Sequence, residues 1–312
     1  MLSPELLGFL EPLYVFIPFY IGLGFLMIVP FVIWLSKYLN KNKKRHPLTE
    51  NLLRMPGQTL LIELDKNSEK LDEHLMGLFM FALIASPTIF YNYSSEKRGL
   101  FLMSLALVVI FIVYLVYGTV KIMRLRKRFN ELKLGFECEV AVGQELNQLM
   151  LDGYRVFHDF QADNKFNIDH IVIGKGGVFA VETKGRAKPI NKKSNWENAR
   201  VKFDGEKLIF PTWIEKKPIE QANNNAKWLE NWIKKNTGEE IKVMPVLALP
   251  GWFVEENKDK SLRPRVVNPT QIVAKLKEYQ SVKISSNEII EKIAHKIEEK
   301  CRDIEPKAYK NT

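Results

Sequence analysis

Three polar side chains with the spacing of a metal-dependent hydrolytic site lie close together in this sequence. Glu182 and Lys184 stand two residues apart in an apolar segment, so on a β-strand both project from one face. Asp169 begins the preceding apolar segment, and a hairpin between the two segments brings it beside Glu182. Two carboxylates and the backbone carbonyl of Thr183 would form a hard oxygen site suited to Mg²⁺.

The chemistry open to such a site is phosphoryl transfer to water. A metal ion would polarise a phosphate and lower the pKa of a bound water. Lys184 would orient that water, stabilise the charge that develops on the phosphate, or act as general base with a depressed pKa. These roles stay open. Charged groups among Ile168, Val172 and Val181 cost free energy without partners, and this cost favours a functional role.

The surrounding pattern predicts the elements that position these residues. Apolar residues at helical spacing predict a helix over 136–151, ended by Gly153. Alternating and apolar segments predict strands over 154–160, 168–173, 178–184, 241–249 and 266–267, with a further hairpin over 200–210. Helices are predicted over 218–235, 270–279 and 287–302. This order of elements predicts a mixed α/β sandwich.

Residues 135–184 resemble the nuclease-related domain (NERD), a branch of the PD-(D/E)xK nuclease superfamily. The resemblance rests on a helix that begins at Gly135, carries Glu139 and continues with apolar residues at helical spacing. It continues with Ile-Asp-His at 168–170, a glycine turn, and Val-Phe-x-x-Glu-Thr-Lys at 178–184. It implies an α/β fold of the restriction-endonuclease type, a mixed sheet flanked by helices, and nuclease activity.

The resemblance also implies roles for individual residues. Glu139 would complete the metal site, Asp169, Glu182 and Thr183 would supply the other ligands, and Lys184 would be the catalytic lysine. The expected cofactor is Mg²⁺ or Mn²⁺.

Two positions depart from the family pattern. Cys138 stands where glycine is usual, and Gly185 follows the lysine where asparagine is frequent. The first departure leaves Glu137 and Glu145 as alternatives to Glu139 on the same helix.

A basic segment follows the lysine and indicates an anionic partner. Arg186, Lys188, Lys192 and Lys193 would hold a nucleic-acid backbone next to a phosphodiester site. The family's later proline-x-x-glutamine helix start resembles the sequence ending at Gln221, which would reach toward the site or a phosphate. Nucleic acid is the expected partner, with DNA favoured over RNA.

The composition of the 312 residues supports an anionic partner and excludes some classes. The formal net charge is +10 and the pI is near 9.3, which suits nucleic acid or phospholipid head groups. Cys138 and Cys301 lie far apart, so neither a disulfide framework nor a zinc pattern is present. The sequence offers no Ser-His-Asp or Cys-His phrase for nucleophilic hydrolysis.

Long uncharged apolar runs in the first third predict an all-α membrane region that precedes the α/β domain. The predicted transmembrane helices cover about 13–35, 75–93 and 100–120. The predicted division is a membrane region at 1–121, a basic juxtamembrane linker at 122–134 and the nuclease domain at 135–312. The loop at 46–74 is expected to carry no chemistry, with a short strand at 59–64.

The distribution of basic residues predicts the orientation. Lysines and arginines cluster after the first and third runs, so the positive-inside rule places the N-terminus outside and the nuclease domain in the cytoplasm. The sequence therefore predicts a multi-pass integral membrane protein in contact with lipid, carrying an Mg²⁺-dependent nuclease. The alternative is a membrane-tethered nucleic-acid-binding or docking module without significant catalysis. The oligomeric state stays open.

Overall fold

The structure is a computed structural model. It describes residues 50–94, 98–162, 166–189, 197–255, 263–278 and 286–306, with isolated positions at 24, 28, 31, 32, 35, 36, 38, 39, 48 and 284. The chain divides into two units, one of Met1–Leu48 with Asn67–Arg128 and one of Thr49–Lys66 with Phe129–Thr312. Residues 49–66, which the sequence assigns to the membrane region, therefore group with the α/β domain.

Two long helices, α1 (Gln58–Ser94) and α2 (Arg98–Asn147), contain most of the described residues of the first unit. They approach closely at Gly118, where a Cβ would lie 2.6 Å from Leu78 Cδ2. The predicted strand at 59–64 is wrong, because these residues begin α1. Leu60, Leu61 and Leu64 recur at the spacing of a helix face rather than alternating.

The membrane region is supported in part. Among the described residues, one helix, Phe101–Asp152, is long and apolar enough to cross a membrane, and only 11% of its most apolar stretch is buried. The predicted span at 100–120 falls on this helix. The span at 75–93 lies within α1, which does not meet the same criterion, and the span at 13–35 lies outside the described residues apart from isolated helical positions. Three spans are therefore not supported. The predicted linker at 122–134 is a helical part of α2.

The second unit contains nine short strands and three more helices among its described residues. The strands are β1 (Arg155–Ala162), β2 (Phe166–Gly174), β3 (Gly177–Thr183), β4 (Arg200–Phe203), β5 (Leu208–Ile209), β6 (Ile214–Glu215), β7 (Val243–Ala248), β8 (Phe253–Glu255) and β9 (Arg265–Val267). The helices are α3 (Lys217–Thr237), α4 (Pro269–Glu278) and α5 (Asn287–Cys301). A 3-10 turn, Gln148–Asp152, ends at Gly153 with φ 81°, as the sequence predicts.

The central sheet has the order β1-β2-β3-β7-β9. Its first three strands are antiparallel hairpin neighbours, whereas β7 and β9 join in parallel. Helices α3 and α5 pack on one face through Leu229, Ile233 and Ile293, and the end of α2 with α4 packs on the other through Leu146 and Leu276. The predicted mixed sheet flanked by helices is therefore confirmed.

A smaller sheet with the order β6-β5-β4-β8 contains the predicted hairpin of residues 200–210. Its core of Val201, Leu208 and Trp252 packs against the start of α3 through Ile219. Trp252 is fully buried and donates from its indole N–H to the backbone oxygen of Arg186, 3.0 Å away. The small sheet thereby fixes the chain that leaves β3.

A buried ion pair joins the segment before α1 to the central sheet. Asp159 is fully buried in β1 with φ 50°, an uncommon conformation for a residue with a side chain. Its Oδ2 accepts from Arg54 Nη1 at 2.7 Å and from the backbone N–H of Thr59 at 2.8 Å, and Oδ1 accepts from Asn167. Arg54 also binds Asp303 near the end of the chain. Residues 50–59 are therefore a structural part of the α/β unit.

Replacement Arg54→Ala is expected to lower the free energy of unfolding by about 3–5 kcal/mol, because it leaves the Asp159 carboxylate buried without its charged partner. Guanidinium denaturation of the detergent-solubilised full-length protein, followed by tryptophan fluorescence, measures the change. The matched control is Arg155→Ala, since Arg155 forms an exposed pair with Glu291 and should cost about 1 kcal/mol or less. Equal losses in the two variants would contradict the structural role of Arg54.

Candidate active site

Neighbouring elements bring the predicted acidic residues together. The β2–β3 register pairs His170 with Val181, so one step further along the hairpin places Asp169 opposite Glu182. Glu139 comes from α2, which packs on the same sheet. Asp169 is 5% exposed, Glu182 is 1% exposed and Glu139 is 7% exposed. The hairpin expected from the sequence thus produces a buried group of carboxylates.

Hydrogen bonds fix two of the three carboxylates. Lys184 Nζ donates to Glu182 Oε1 at 2.5 Å, which confirms that both side chains project from one face. Asn225 Nδ2 donates to Glu182 Oε2 at 2.7 Å, so both oxygens of this carboxylate have a donor. The backbone N–H of Thr183 donates to Asp169 Oδ2 at 2.7 Å. Glu182 and Asp169 are therefore held in fixed orientations.

The structure also selects among the candidate helix glutamates. Glu137 is exposed beside Lys133, and Glu145 accepts from an exposed glutamine side chain. Glu139 is buried, and its Oε2 has no hydrogen-bond partner. A buried carboxylate oxygen without a donor is costly unless a cation or water binds it. This geometry favours Glu139 over the two alternatives.

The electrostatics show that the site is short of positive charge. Burial raises the pKa of Glu139 to about 8, and the nearby Asp159 and Glu182 charges act in the same direction. Burial also raises the pKa of Asp169 well above its ordinary value, reinforced by Glu182 and Glu139. For Glu182, burial raises the pKa although Lys184 opposes it. Burial disfavours the Lys184 ammonium, but Glu182 and Asp169 outweigh it and raise the pKa of Lys184.

The residues present fit a divalent cation by their chemistry. They supply carboxylate oxygens, the ligands that Mg²⁺ and Mn²⁺ take, and one of these oxygens, Glu139 Oε2, is buried without a donor. Within the described residues, no three His, Cys, Asp or Glu side chains are already spaced as a complete ligand set. Glu182 is not free to act as a ligand in this arrangement, because its two oxygens accept hydrogen bonds from Lys184 and Asn225.

Asn225 is a site residue that the sequence reasoning missed. It is buried on α3 and binds Glu182, a predicted ligand. Its position was detectable in part, because it lies four residues after Gln221 and shares that residue's helix face. An asparagine at this spacing carries too little chemical signal for a role to be assigned without the fold.

A cavity of about 430 Å³ opens beside Lys184. Its lining includes Lys184, Arg186, Glu215, Lys216, Lys217 and Gln221. The structure therefore brings Gln221 and Arg186 next to the lysine, although the Arg186 charge is compensated by Glu215, with Nη2 2.8 Å from Oε2. Lys188 is exposed, and Lys192 and Lys193 lie outside the described residues.

The two departures from the family pattern lie in contact with each other. A Cβ at Gly185 would lie 2.9 Å from Cys138 Sγ and 3.2 Å from the Leu134 carbonyl oxygen. The thiol therefore occupies space next to residue 185 that a larger side chain would need. The side chain of Cys138 and the lack of one at Gly185 therefore fit together sterically. Cys138 and Cys301 are both free and buried, as expected.

A comparison with protein-family models gave a match within the α/β unit. A family model described as NERD, nuclease-related domain, matches residues 134–250, so a domain of this kind is found in the α/β unit. The matched range contains Glu139, Asp169, Glu182, Lys184 and Asn225. A search of curated proteins gave no match, and a search of solved structures gave none either.

The contact between Cys138 and Gly185 makes a testable prediction. Gly185→Ala is expected to cost about 1–3 kcal/mol through overpacking, and Cys138→Gly in the same chain should restore part of this loss. A double-mutant cycle measured by denaturant unfolding should give a coupling of about 0.5 kcal/mol or more. Strictly additive effects would show that the two residues do not share this space.

Proposed function

We propose that this protein is a membrane-anchored, Mg²⁺-dependent nuclease that cleaves phosphodiester bonds of DNA at the cytoplasmic face. The observation that carries the proposal is the burial of Glu139, Asp169 and Glu182 beside the ammonium of Lys184. A structural role does not need this arrangement, because a buried ion pair requires only one carboxylate for one lysine. The nuclease-related domain found at residues 134–250 supports the same chemistry.

The residues that would hold the cation are Glu139, Asp169 and Glu182, with the carbonyl of Thr183. A divalent cation supplies polarisation of the phosphate and a bound water of lowered pKa. Lys184 lines the wall of the cavity, where its ammonium could donate to a phosphate oxygen.

Of the three roles open to Lys184, stabilisation of developing charge fits best. Burial disfavours its charged form, yet the neighbouring carboxylates raise its pKa. This shift favours the ammonium form, which cannot act as a general base. A fixed ammonium aimed at a phosphate oxygen stabilises the charge that accumulates in the transition state.

The cavity beside Lys184 is the proposed binding site for the nucleic-acid backbone. Lys216 and Lys217 are exposed on its wall at the start of α3, and Gln221 lies one helical turn further on. Amide and ammonium donors of this kind bind phosphate oxygens without reading the bases. Lys188 is exposed and could add a further backbone contact. Contacts from Lys192 and Lys193 are proposed from the sequence alone.

The membrane anchor is proposed from the sequence and from one helix. Phe101–Asp152 is long and apolar enough to cross a bilayer. Basic residues follow its apolar part, and the positive-inside rule then supports a cytoplasmic α/β domain. The net charge of +10 suits both DNA and anionic lipid.

Incubation of the detergent-solubilised full-length protein with plasmid DNA or RNA tests the proposed activity. Cleavage should require Mg²⁺ or Mn²⁺ and should stop on chelation. Lys184→Met and Asp169→Asn should each lower kcat by about 10²–10³-fold, since each removes a group that acts on the transition state or its metal.

Two control variants show whether a loss of activity comes from the site residues or from any change of charge in the domain. Glu137→Gln changes an exposed glutamate two residues from Glu139, and Lys207→Ala changes a partly exposed lysine in the turn between β4 and β5. Both should cleave at the wild-type rate. Metal-independent binding of DNA without cleavage, under every divalent metal tested, would contradict the proposal and favour a tethered binding module.

A further inference from the structure

A chain of hydrogen bonds through two buried histidines links the three elements that carry the acidic residues, which are α2, β2 and β3. His158 in β1 and His170 in β2 are cross-strand partners whose Nδ1 atoms lie 2.9 Å apart. His170 Nε2 lies 3.2 Å from the hydroxyl of Thr183 in β3. His158 Nε2 lies 3.0 Å from Oδ1 of Asn147, the last residue of α2. This hydrogen-bond chain thus connects α2, which carries Glu139, to β3, which carries Glu182.

The donors and acceptors define one direction along this chain. The amide oxygen of Asn147 accepts, so His158 donates from Nε2 and its Nδ1 is left as an acceptor. His170 then donates from Nδ1, and its Nε2 accepts from the Thr183 hydroxyl. With both imidazoles neutral, this direction gives every polar atom along the hydrogen-bond chain a partner. Burial lowers the pKa of His158 to about 4. Burial also lowers the pKa of His170 well below its ordinary value, and the neighbouring His158 adds to this effect.

The geometry of the two rings is that of a directed hydrogen bond and not only of side chains that fill space. The two rings are 5.1 Å apart and meet at 86°, which points an N–H of one at a lone pair of the other. His170 is fully buried, and His158 is 7% exposed. Two apolar side chains would fill this part of the sheet without the cost of burying polar atoms. The cost of burying these polar atoms therefore indicates that their hydrogen bonds hold a neighbouring residue in place.

We infer that His158 and His170 are positioning residues that fix Thr183, and through it the ligand Asp169, by this hydrogen-bond chain. Thr183 is held at two points, since its hydroxyl donates to His170 and its backbone N–H donates to Asp169 Oδ2, 2.7 Å away. Rotation of this residue would move both the Asp169 carboxylate and the carbonyl proposed as a ligand. The inference rests on the proposed function for the identity of the ligands, but not for the hydrogen-bond chain itself.

The test uses the full-length protein in detergent with ¹⁵N-labelled histidine. The ¹⁵N shifts of the wild type should show one fixed neutral tautomer at each ring, with the proton on Nε2 of His158 and on Nδ1 of His170. Averaging between tautomers at either ring would overturn the inference, whatever the activity of the protein.

The variant His158→Phe keeps a planar ring but removes both nitrogens. It should weaken Mn²⁺ binding, measured by the EPR signal of free Mn²⁺, and lower kcat, each by about 10–100-fold, with KM for DNA within about twofold of the wild type. His158→Gln, which retains an amide able to bond His170, should recover part of both losses. A purely structural role would instead lower both properties only in proportion to the unfolded fraction, which the thermal midpoint reports.

His295→Phe is the matched control, because His295 is exposed on α5 and takes no part in the chain. It should behave as the wild type. Folded His158→Phe protein with unchanged Mn²⁺ affinity and unchanged kcat would overturn the positioning role. A wild type that binds Mn²⁺ and shows the expected tautomers, yet cleaves no nucleic acid, would leave the histidine chain intact and contradict the proposed function instead.

Discussion

The structure depends on the burial of more acidic than basic side chains where the interior strands β2 and β3 meet α2. Glu139, Asp169 and Glu182 approach one another out of water, with Lys184 as the neighbouring ammonium. The cost of this burial is visible in the raised pKa of each carboxyl group. The packing of the sheet does not require it, since the helices on both faces pack through apolar side chains. The charge of the buried carboxylates is neutralised either by protonation or by a bound cation. Binding of a cation is what connects this fold to the proposed chemistry.

The sequence predicted the part of the site that depends on local spacing. Glu182 and Lys184 share a face because strands alternate, and Asp169 reaches Glu182 because a glycine turn joins adjacent strands. Glu139 could not be chosen from spacing alone, since Glu137 and Glu145 are on the same helix. The structure separates them by burial, which depends on how the helix rotates against the sheet.

Other contacts could not have been found from the sequence, because they join residues far apart in the chain. Asn225 reaches Glu182 only once α3 lies on the sheet, and Arg54 reaches Asp159 across 105 positions. The segment at 59–64 was mistaken for a strand because a short apolar run does not by itself distinguish the two elements. Residues 192–193 lie outside the described residues and stay a prediction.

The functional unit extends beyond the range that matches the nuclease-related domain. That match begins at residue 134, whereas Arg54 and Thr59 bind a buried aspartate of the central sheet. Gly57 and Pro56 also pack closely against α2 near Phe136 and Gly143. A fragment that begins near residue 133 would lack these partners, so biochemical work requires the longer chain.

The anomalous scattering of Mn²⁺ in crystals of the full-length protein tests the account most directly. The account predicts one strong peak with carboxylate oxygens of Glu139, Asp169 and Glu182 within about 2.5 Å, and with Lys184 moved away from Glu182. A peak bound elsewhere, or crystals saturated with Mn²⁺ that show none between these three side chains, would contradict it.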